Sequence, residues 1–404
     1  MASKDDIVLA APVRTPIGKF GGVLASLSAA DLGTAAAAAA LSRAQLDPAR
    51  VDQVIFGHAR QAGGGPNTAR QIAFRAGVPV DRPAYTINQA CGSGLQAVLT
   101  AARTILNGEA RVVLAGGTES MSNTPYLLPR ARWGYRLGHT EIVDGMYRDG
   151  FNDPLSGLVM GETAEELAVE VGIDRAAADA WALGSQQRAE RAQAAGRFAA
   201  EIVQVTVAGK KGDTPVEIVD TDEHPRAGMT IESLRKLAPV FREGGTVTAG
   251  NASGITDGAA ALVVASREAA SELGLAVVAR LAGWQVVGVD PRIMGIGPVP
   301  AVEQLLERAG LNGQAIDDVE LNEAFASQVL ACLQRLPDLD PMRVNRDGGA
   351  IALGHPIGAT GARILVTLLH GLTARGGQRG IATLCVSGGM GLAALVEMEG
   401  RAAA

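Results

Sequence analysis

The chain has 404 residues, a formal net charge of −6, 47% hydrophobic residues and only 3% aromatic residues. This length allows two or three domain-sized units, and the net negative charge argues against a nucleic-acid-binding surface. The cysteines, at positions 91, 332 and 385, are too few and too scattered for a disulfide framework, which suits a reducing compartment.

The chain ends and the apolar runs indicate the expected location. Residues 1–6 lack the basic-then-apolar pattern of a secretory signal, and the final residues carry no peroxisomal address. We identify no apolar run of membrane-spanning length. We therefore expect a cytoplasmic protein that has neither a membrane nor a nucleic acid as its partner.

Strands and helices alternate in the first part of the chain. Apolar, β-capable runs predict strands at 6–10, 51–56, 84–88 and 110–115, the last two of them buried. Asp31 is a candidate cap for a helix that ends near Ala44, and a further helix is predicted at 67–77. This alternation indicates an α/β fold with a mostly parallel sheet.

The texture of the sequence changes at residue 120. Residues 120–160 are rich in Pro, Gly and aromatic side chains and show little periodicity. Asp174 is predicted to cap a helix at 175–195. Strand-like runs then return, at 259–265, 277–287 and 317–321.

The end of the chain repeats its beginning. Segments match in the same order and at similar spacing: 52–56 with 317–321, 86–88 with 343–345, and 112–117 with 383–388. This repetition predicts a duplicated α/β unit. We expect an N-terminal half at 1–119 completed by 251–271, an inserted loop domain at 120–250, and a C-terminal half at 272–404.

Cys91 lies between a predicted strand and a predicted helix, and Gly92, Ser93 and Gly94 follow it. The glycines permit a tight turn and the close approach of another backbone. The unpaired N–H groups and the dipole of a helix N-terminus favour the thiolate form of a nearby cysteine. We therefore interpret Cys91 as a nucleophile, with a small buried hydrophobic residue as the alternative.

Three further candidates occur in the second half. Asn322 follows a predicted strand, His355 lies in a glycine-dense loop before a helix, and Cys385 lies near a strand end. Strand ends of an α/β sheet gather at one rim, where a thiol beside an imidazole forms a nucleophile–base pair. The structural alternatives are a hydrogen-bonded histidine and, at 322–323, a capping turn. We expect no metal site, because the spacing is not that of metal ligands.

Nine segments of the chain, taken in order, resemble the thiolase family of acetyl-CoA acetyltransferases and 3-ketoacyl-CoA thiolases. They are Arg14–Gly22, Asn88–Gly94, Gly116–Ser120, Thr221–Arg226, Thr248–Asp257, Gly295–Pro300, Asn322–Phe325, Gly348–Gly358 and Cys385–Gly391. The resemblance covers nearly the whole chain. It implies an α/β fold of two βαβαβαββ halves in an α/β/α/β/α arrangement, with an inserted loop domain over the CoA site.

The resemblance also implies a mechanism. Cys91 would be acylated by an acyl-CoA, His355 would take the thiol proton, and Cys385 would deprotonate a second acetyl-CoA for a Claisen condensation. Thiolysis is the reverse path, with ping-pong kinetics. One oxyanion site would use His355 and a water held by Asn322, and the other the backbone N–H groups of Cys91 and Ser387, a position where many thiolases have Gly.

For coenzyme A, the resemblance implies a contact from Arg226 near the nucleotide and from Ser253 near the pantetheine. Met160 and Phe325 would line the acyl pocket. Acyl-CoA would be the substrate, with no permanently bound cofactor, and the protein would be a homo-oligomer, a dimer or a tetramer. Val159 stands where short-chain biosynthetic members often carry His, which leaves acetoacetyl-CoA or a broader range of 3-ketoacyl-CoA as substrates.

Two other functions remain open at this point. Ketoacyl-synthase-type condensing enzymes pair one Cys with two His, or with His and Asn, whereas Cys385 and the segment 322–325 favour the thiolase set. The other alternative is a non-catalytic CoA or lipid carrier of the same fold. The presence of Cys91, His355 and Cys385 together argues against a carrier.

Overall fold

The computed structural model describes residues 7–208 and 216–400. Within these ranges the strands are β1 (Ile7–Arg14), β2 (Gly18–Lys19), β3 (Gln53–Gly57), β4 (Ala84–Ile87), β5 (Val112–Ser120), β6 (Tyr126–Leu127), β7 (Val143–Asp144), β8 (Val205–Val207), β9 (Glu217–Val219), β10 (Thr256–Ser266), β11 (Val277–Gly288), β12 (Asp318–Leu321), β13 (Arg379–Val386) and β14 (Met390–Met398). The helices are α1 (Ala29–Arg43), α2 (Thr68–Arg75), α3 (Ser93–Leu106), α4 (Met160–Val171), α5 (Arg175–Ala194), α6 (Ile231–Arg235), α7 (Arg267–Glu272), α8 (Pro298–Ala309), α9 (Ala326–Arg335), α10 (Ala350–Leu353) and α11 (Ile357–Arg375).

The main sheet has the strand order β12-β13-β14-β11-β1-β10-β5-β3-β4, with β2 on β10. Its two halves meet where β1 pairs with β11. On one side β3 is parallel to β5, which is antiparallel to β10; on the other, β12 is parallel to β13, which is antiparallel to β14. In the second half, Val344 forms a parallel bridge to Val319 of β12, at the position equivalent to the pairing of β4 with β3 in the first half. This repetition confirms the duplicated unit.

The sheet is mixed, so the prediction of a mostly parallel sheet is wrong. The parallel pairs among the described strands are β3–β4, β3–β5 and β12–β13, and the remaining pairs of this sheet are antiparallel. The physical reason is clearest at 387–389, where a short turn joins β13 directly to β14. A crossover long enough for parallel pairing needs a dozen residues or more.

The two halves of the sheet form two layers, and helices form three more, one between the halves and one on each outer face. Helices α3 and α11 pack together in the centre and share one apolar cluster with strands of both halves. Helices α1 and α2 cover the outer face of the first half, and α8 and α9 that of the second. This arrangement confirms the predicted five-layer α/β/α/β/α fold.

By length and composition, helix α11 is long and apolar enough to cross a membrane. The expectation that the chain has no apolar run of that length is therefore wrong. It is nevertheless a core helix, since 83% of its most apolar window is buried in the protein. It lies against α3 at Gly94, where a Cβ would stand 2.8 Å from the Ala362 nitrogen and 2.9 Å from the Gly358 oxygen. The predicted close backbone approach at Gly94 is therefore confirmed.

Some local predictions hold and others do not. Helix α1 is capped by Ser28, and Asp31 is the third helical residue, whose carboxylate accepts from the Ser28 N–H at 3.0 Å in a capping box. Asp174 caps α5 as predicted, accepting from the Ala177 N–H at 2.7 Å. The strand predicted to be buried at 84–88 is β4, which is only half-buried because it lies at the sheet edge.

Candidate active site

A cavity of about 210 Å³ lies where the strand ends of the two halves meet the segment 147–161. We call it the main cavity. Most of the residues predicted for the site lie on its wall: Cys91, Met160, Ser253, Phe325, His355, Cys385 and Ser387. Asn322 is buried behind this wall, and Arg226 is exposed outside it. The fold therefore brings together seven side chains from six segments of the sequence, since Cys385 and Ser387 lie two residues apart.

A tight turn between β4 and α3 holds Cys91. The Ser93 hydroxyl accepts from the Gln89 N–H at 2.8 Å and donates to the Ala90 carbonyl at 2.7 Å. Ala90 has φ of 44°, a left-handed conformation that is unfavourable for alanine. Asn88 supports it by accepting from the Ala90 N–H at 3.0 Å. The turn thus places the Cys91 thiol on the cavity wall with a strained backbone conformation at Ala90.

The electrostatics of Cys91 differ from the expectation. Burial raises the pKa of the Cys91 thiol, against the opposing effects of Arg60 and of the Ser387 and Cys91 N–H groups. The predicted thiolate at a helix N-terminus is therefore wrong for the free protein, because loss of solvation outweighs these favourable contacts. A base must take the proton before Cys91 can attack. The two N–H groups that contact the sulfur are those that the resemblance assigns to an oxyanion site.

His355 has the geometry of such a base. Its Nδ1 lies 2.6 Å from the Thr360 hydroxyl, which donates its own proton to the Pro356 carbonyl at 3.0 Å. The Thr360 oxygen must then accept from Nδ1–H, so we infer that Nε2 carries the free lone pair. Burial, reinforced by the charges of Arg363 and Arg60, lowers the pKa of His355 to about 3. The imidazole is thus neutral and able to accept a proton.

The buried neutral state of His355 predicts a pH-dependent stability. The folded protein keeps this group unprotonated down to about pH 3, whereas the unfolded chain protonates it below about pH 6.5. Because the unfolded state then binds more protons, the free energy of unfolding should fall as pH decreases, by about 3 kcal/mol from this group at pH 4. We expect chemical denaturation to show a shallower acid slope in His355→Gln than in the unmodified protein. Equal slopes would contradict a neutral His355.

The two remaining cysteines have different surroundings. Cys385 is the penultimate residue of β13, and burial, with added effects of Cys91 and Cys332, raises its pKa well above that of a free thiol. Cys332 is fully buried in α9, donates to the Gly295 carbonyl at 3.3 Å and has a pKa raised by burial to about 12. Only Cys385 reaches the main cavity. Cys332 is therefore a core residue, and Cys385 is a neutral thiol beside the nucleophile.

Asn322 is a buried polar side chain without a partner. It directly follows β12, where its backbone N–H donates to the Thr383 carbonyl at 3.0 Å. Its side chain is buried, yet neither Oδ1 nor Nδ2 has a hydrogen-bond partner among the described residues. An unpaired buried amide costs free energy unless something binds to it. The side chain therefore fits a role in holding a water or a substrate oxygen.

Glu323 is a structural connector and not a helix cap. Its carboxylate accepts hydrogen bonds from four donors: Trp181 Nε1 at 3.0 Å, Ser185 Oγ at 2.6 Å, Asn345 Nδ2 at 3.0 Å and the Ile351 N–H at 3.2 Å. Helix α9 begins without a side-chain cap, so the capping-turn alternative for 322–323 is wrong. Glu323 ties α5 to the loop that leads to His355.

Removing the Glu323 carboxylate should destabilise the protein strongly. Glu323→Ala leaves four buried donors without their acceptor, and we expect the free energy of unfolding to fall by about 3–5 kcal/mol. Chemical denaturation measures the change. Glu170→Ala, at an exposed position of α4, is the matched control and should shift stability by less than about 0.5 kcal/mol. A similar small effect of both variants would contradict the connecting role.

The residues predicted to contact CoA occupy different places. Ser253 and Phe325 lie on adjacent segments, since Ala252 bridges to Phe325 and the Ser253 N–H donates to the Ala324 carbonyl at 3.0 Å. Met160 begins α4 at the cavity wall. Arg226 is exposed at the surface and does not line the main cavity.

Two residues of the site were not predicted from the sequence: Arg60, a charged residue on the cavity wall, and Glu119, which holds it in place. Glu119, at the end of β5, accepts from the Arg60 N–H at 3.1 Å and the Gly358 N–H at 2.8 Å, and pairs with His58 Nε2 at 3.1 Å. Although burial opposes it, these partners and the Arg60 charge lower the pKa of Glu119. Glu119 thereby joins the two halves at the start of α11. Arg60 follows β3, so the strand-end rule applied to the other candidates also covers it.

No metal-binding arrangement occurs in the part of the chain that the structure describes. No three or more His, Cys, Asp or Glu side chains are grouped there so as to hold an ion.

Comparisons with known proteins identify the family. Residues 7–268 match the family model "Thiolase, N-terminal domain" and residues 275–398 match "Thiolase, C-terminal domain". The acetyl-CoA acetyltransferase of Cupriavidus necator is 50% identical over 394 residues, which cover 98% of this chain and 100% of that protein.

Solved structures agree with this result. The acetyl-CoA acetyltransferase of Bacillus anthracis superposes with a TM-score of 0.95 at 45% identity, covering 99% of this chain and 100% of that one. Human mitochondrial 3-ketoacyl-CoA thiolase, solved in complex with CoA, gives a TM-score of 0.94 at 44% identity, with 99% of each chain covered. The chain therefore belongs to the thiolase family and is an acyltransferase.

Proposed function

We propose that this protein is an acetyl-CoA C-acyltransferase that acts through an acyl-enzyme on Cys91. It would catalyse, reversibly, the CoA-dependent thiolysis of a 3-ketoacyl-CoA and the Claisen condensation of acetyl-CoA. The observation that carries the proposal is the convergence of Cys91, His355 and Cys385 on one cavity. The names of the relatives and the CoA in the human structure point to the same substrates.

In the first half-reaction, His355 takes the proton of Cys91. The neutral imidazole has its Nε2 lone pair free to accept the proton. In the free protein the transfer is uphill, because burial lowers the pKa of His355 and raises that of the Cys91 thiol. The Cys91 sulfur then attacks the thioester or 3-keto carbonyl. The N–H groups of Cys91 and Ser387 would stabilise the oxyanion, and each such donor is worth about 10²–10³-fold in rate.

In the second half-reaction, Cys385 transfers the proton at carbon. As the thiolate it would take a proton from the methyl group of acetyl-CoA during condensation, and as the thiol it would give a proton to the enolate during thiolysis. A carbanion next to a thioester is basic, so a thiol of raised pKa is a matched partner for it. His355 and an oxygen ligand held by Asn322 would stabilise the enolate, which gives the unpaired Asn322 amide a use.

The remaining assignments complete the proposal. Ser253 would contact the pantetheine, Arg226 the nucleotide end, and Met160 and Phe325 the acyl chain. The loop domain at 120–250 would cover the CoA site between an N-terminal half at 1–119 with 251–271 and a C-terminal half at 272–404. We further propose a cytoplasmic homo-oligomer, a tetramer, that uses CoA as substrate and holds no permanent cofactor.

Incubation with acetyl-CoA, followed by intact-mass analysis and peptide mapping, tests the proposal. We expect one acetyl group on Cys91, and CoA-dependent loss of acetoacetyl-CoA absorbance on turnover. A protein that binds CoA without an adduct or turnover would be a carrier, which would reject the proposed function. The match to thiolase domains over both halves does not favour a carrier or a ketoacyl synthase.

A further inference from the structure

Arg60 places a buried positive charge on the wall of an otherwise largely apolar cavity. The residue is 8% exposed and lines the main cavity near Met121, Phe151 and Ile357. It is close enough to Cys91 to oppose the effect of burial on the thiol pKa. An acyl chain attached to Cys91 therefore extends into a space that contains a guanidinium group.

The guanidinium of Arg60 is only partly satisfied. Its Nη1 donates to the Asp149 carbonyl at 2.9 Å, but its Nε is buried and has no hydrogen-bond partner in the described part of the chain. Within residues 7–208 and 216–400, no carboxylate forms an ion pair with it. Glu119 acts on Arg60 only at longer range, since its carboxylate contacts His58 and backbone N–H groups. Burying a cation that has an unpaired hydrogen-bond donor and no ion pair costs free energy unless an anion binds to it.

Arg60 also lines a second cavity of about 230 Å³, whose wall combines polar side chains with apolar surface. We call it the second cavity. Thr124 lies on its wall, and the Thr124 hydroxyl is likewise buried, with no partner among the residues that the structure describes. Asn88 and Gln61 contribute amides, while the exposed Asp149 contributes the one carboxylate. Arg60 thus stands between an apolar space beside the nucleophile and a space of mixed polarity, in which the Thr124 hydroxyl has no partner among the described residues.

We propose that the acyl site accepts 3-ketoacyl-CoA substrates whose acyl chain ends in a carboxylate, which the Nε edge of Arg60 and the Thr124 hydroxyl bind. This inference rests on the proposed function and specifies its substrate class. A carboxylate accepts hydrogen bonds from a guanidinium edge with matched geometry, and charge-assisted hydrogen bonds are the strong ones. The carbon chain would occupy the apolar main cavity, and its charged end would lie between the two cavities.

The reaction stays that of a thiolase. The Cys91 proton passes to His355 as the Cys91 sulfur bonds to C3 of the substrate. The C2–C3 bond then breaks, and C2 receives the Cys385 proton to release acetyl-CoA. The thiol of free CoA next gives its proton to the Cys385 thiolate and attacks the acyl-enzyme, and Cys91 regains its proton from His355 as the acyl group leaves. The products are acetyl-CoA and a dicarboxylic acyl-CoA shortened by its two-carbon unit. The distal carboxylate takes no part in these bonds, so Arg60 is a specificity-determining residue.

Two other roles for Arg60 give different results. If its task is only to hold the segment at Asp149, a substitution lowers activity on all substrates together. If its task is to favour the Cys91 thiolate, a substitution shifts the pH dependence of Cys91 alkylation and again affects all substrates alike. Only recognition of a distal carboxylate makes the loss depend on the far end of the substrate.

The test is a comparison of matched substrates with the full-length enzyme. We would measure kcat/KM for thiolysis of 3-oxohexanoyl-CoA and of its analogue with a carboxylate as the terminal carbon, and repeat the comparison for the eight-carbon pair. We expect the carboxylate to be preferred at one of these lengths, and Arg60→Leu to reduce the preference ratio by about 10- to 100-fold. Arg60→Lys should retain part of the ratio, and Thr124→Val should reduce it less than Arg60→Leu.

Arg75→Leu is the control, because Arg75 is an exposed arginine that pairs with Asp31 on another surface. It should leave the ratio unchanged. An unmodified enzyme that prefers the neutral substrate at both lengths would overturn the inference, as would an equal loss on both substrates in Arg60→Leu. Cleavage of the neutral substrates would still uphold the proposed function, whereas no cleavage of any substrate and no Cys91 adduct would reject both.

Discussion

Cys91→Ala is expected to abolish covalent acylation by acetyl-CoA and to lower kcat by at least about 10⁴-fold, as removal of a catalytic nucleophile does in other acyl-transfer enzymes. The proposal gives Cys91 the only bond to the acyl group. His355 and the backbone N–H group of Ser387 would remain on the cavity wall, but without the sulfur they have no acyl-enzyme to stabilise. Intact-mass analysis after incubation with acetyl-CoA, together with acetoacetyl-CoA turnover, measures both effects.

Cys332→Ala is the matched control for this experiment. Cys332 is a buried thiol of α9 that bonds to the Gly295 carbonyl and does not line the main cavity. This variant should still form the acetyl adduct, even if the loss of buried volume lowers its stability. An adduct that persists in Cys91→Ala, on either remaining cysteine, would contradict the assignment of Cys91 as nucleophile.

Cys385→Ser is expected to separate the two half-reactions. The hydroxyl is far less acidic than the thiol, so proton transfer at carbon should slow by about 10²–10⁴-fold. Acylation of Cys91 uses His355 and should be reduced much less. Acetylation by acetyl-CoA, followed by mass, reports the first half-reaction, and condensation to acetoacetyl-CoA reports the second. Unmodified rates in both would show that Cys385 is not the proton-transfer group.

The environment of Cys385 explains why a serine is an informative replacement. The residue is 1% exposed and packs with Met294 and Ala324, so a group of similar size preserves the packing. Cys385→Ala would also remove the proton-transfer group, but it leaves space that a water can fill. Agreement between the two variants would assign the loss to the thiol proton and not to a change of shape.

Much of this protein follows from local sequence patterns. The turn at Cys91 depends on hydrogen bonds of Ser93 and Asn88, which act over a few residues, whereas Gly94 is required for the close approach of α11. The cap at Asp174 is local in the same sense, and the repeated strand pattern reveals the duplication because each half meets the same local rules. The duplication and the resemblance to thiolases together predict that Cys91, His355 and Cys385 lie at one site.

Other properties arise only when distant segments meet. The direction of neighbouring strands depends on how the chain returns to the sheet, so the mixed sheet was not predictable from helix–strand alternation. The pKa of Cys91 rises because both halves and the segment 147–161 bury it, whereas the sequence shows only the helix that follows. Burial is a sum over the whole fold and leaves no local signature.

The charged wall of the main cavity illustrates the same limit. Arg60 looks like an ordinary polar loop residue in the sequence, yet the fold leaves its Nε buried and unpaired. Asn322 and Thr124 share this condition. A residue type shows how many hydrogen bonds a side chain can make, but only the tertiary structure shows how many it has made. Local motifs therefore predict the thiolase chemistry. The proposed substrate preference depends instead on unsatisfied buried groups, which only the tertiary structure shows.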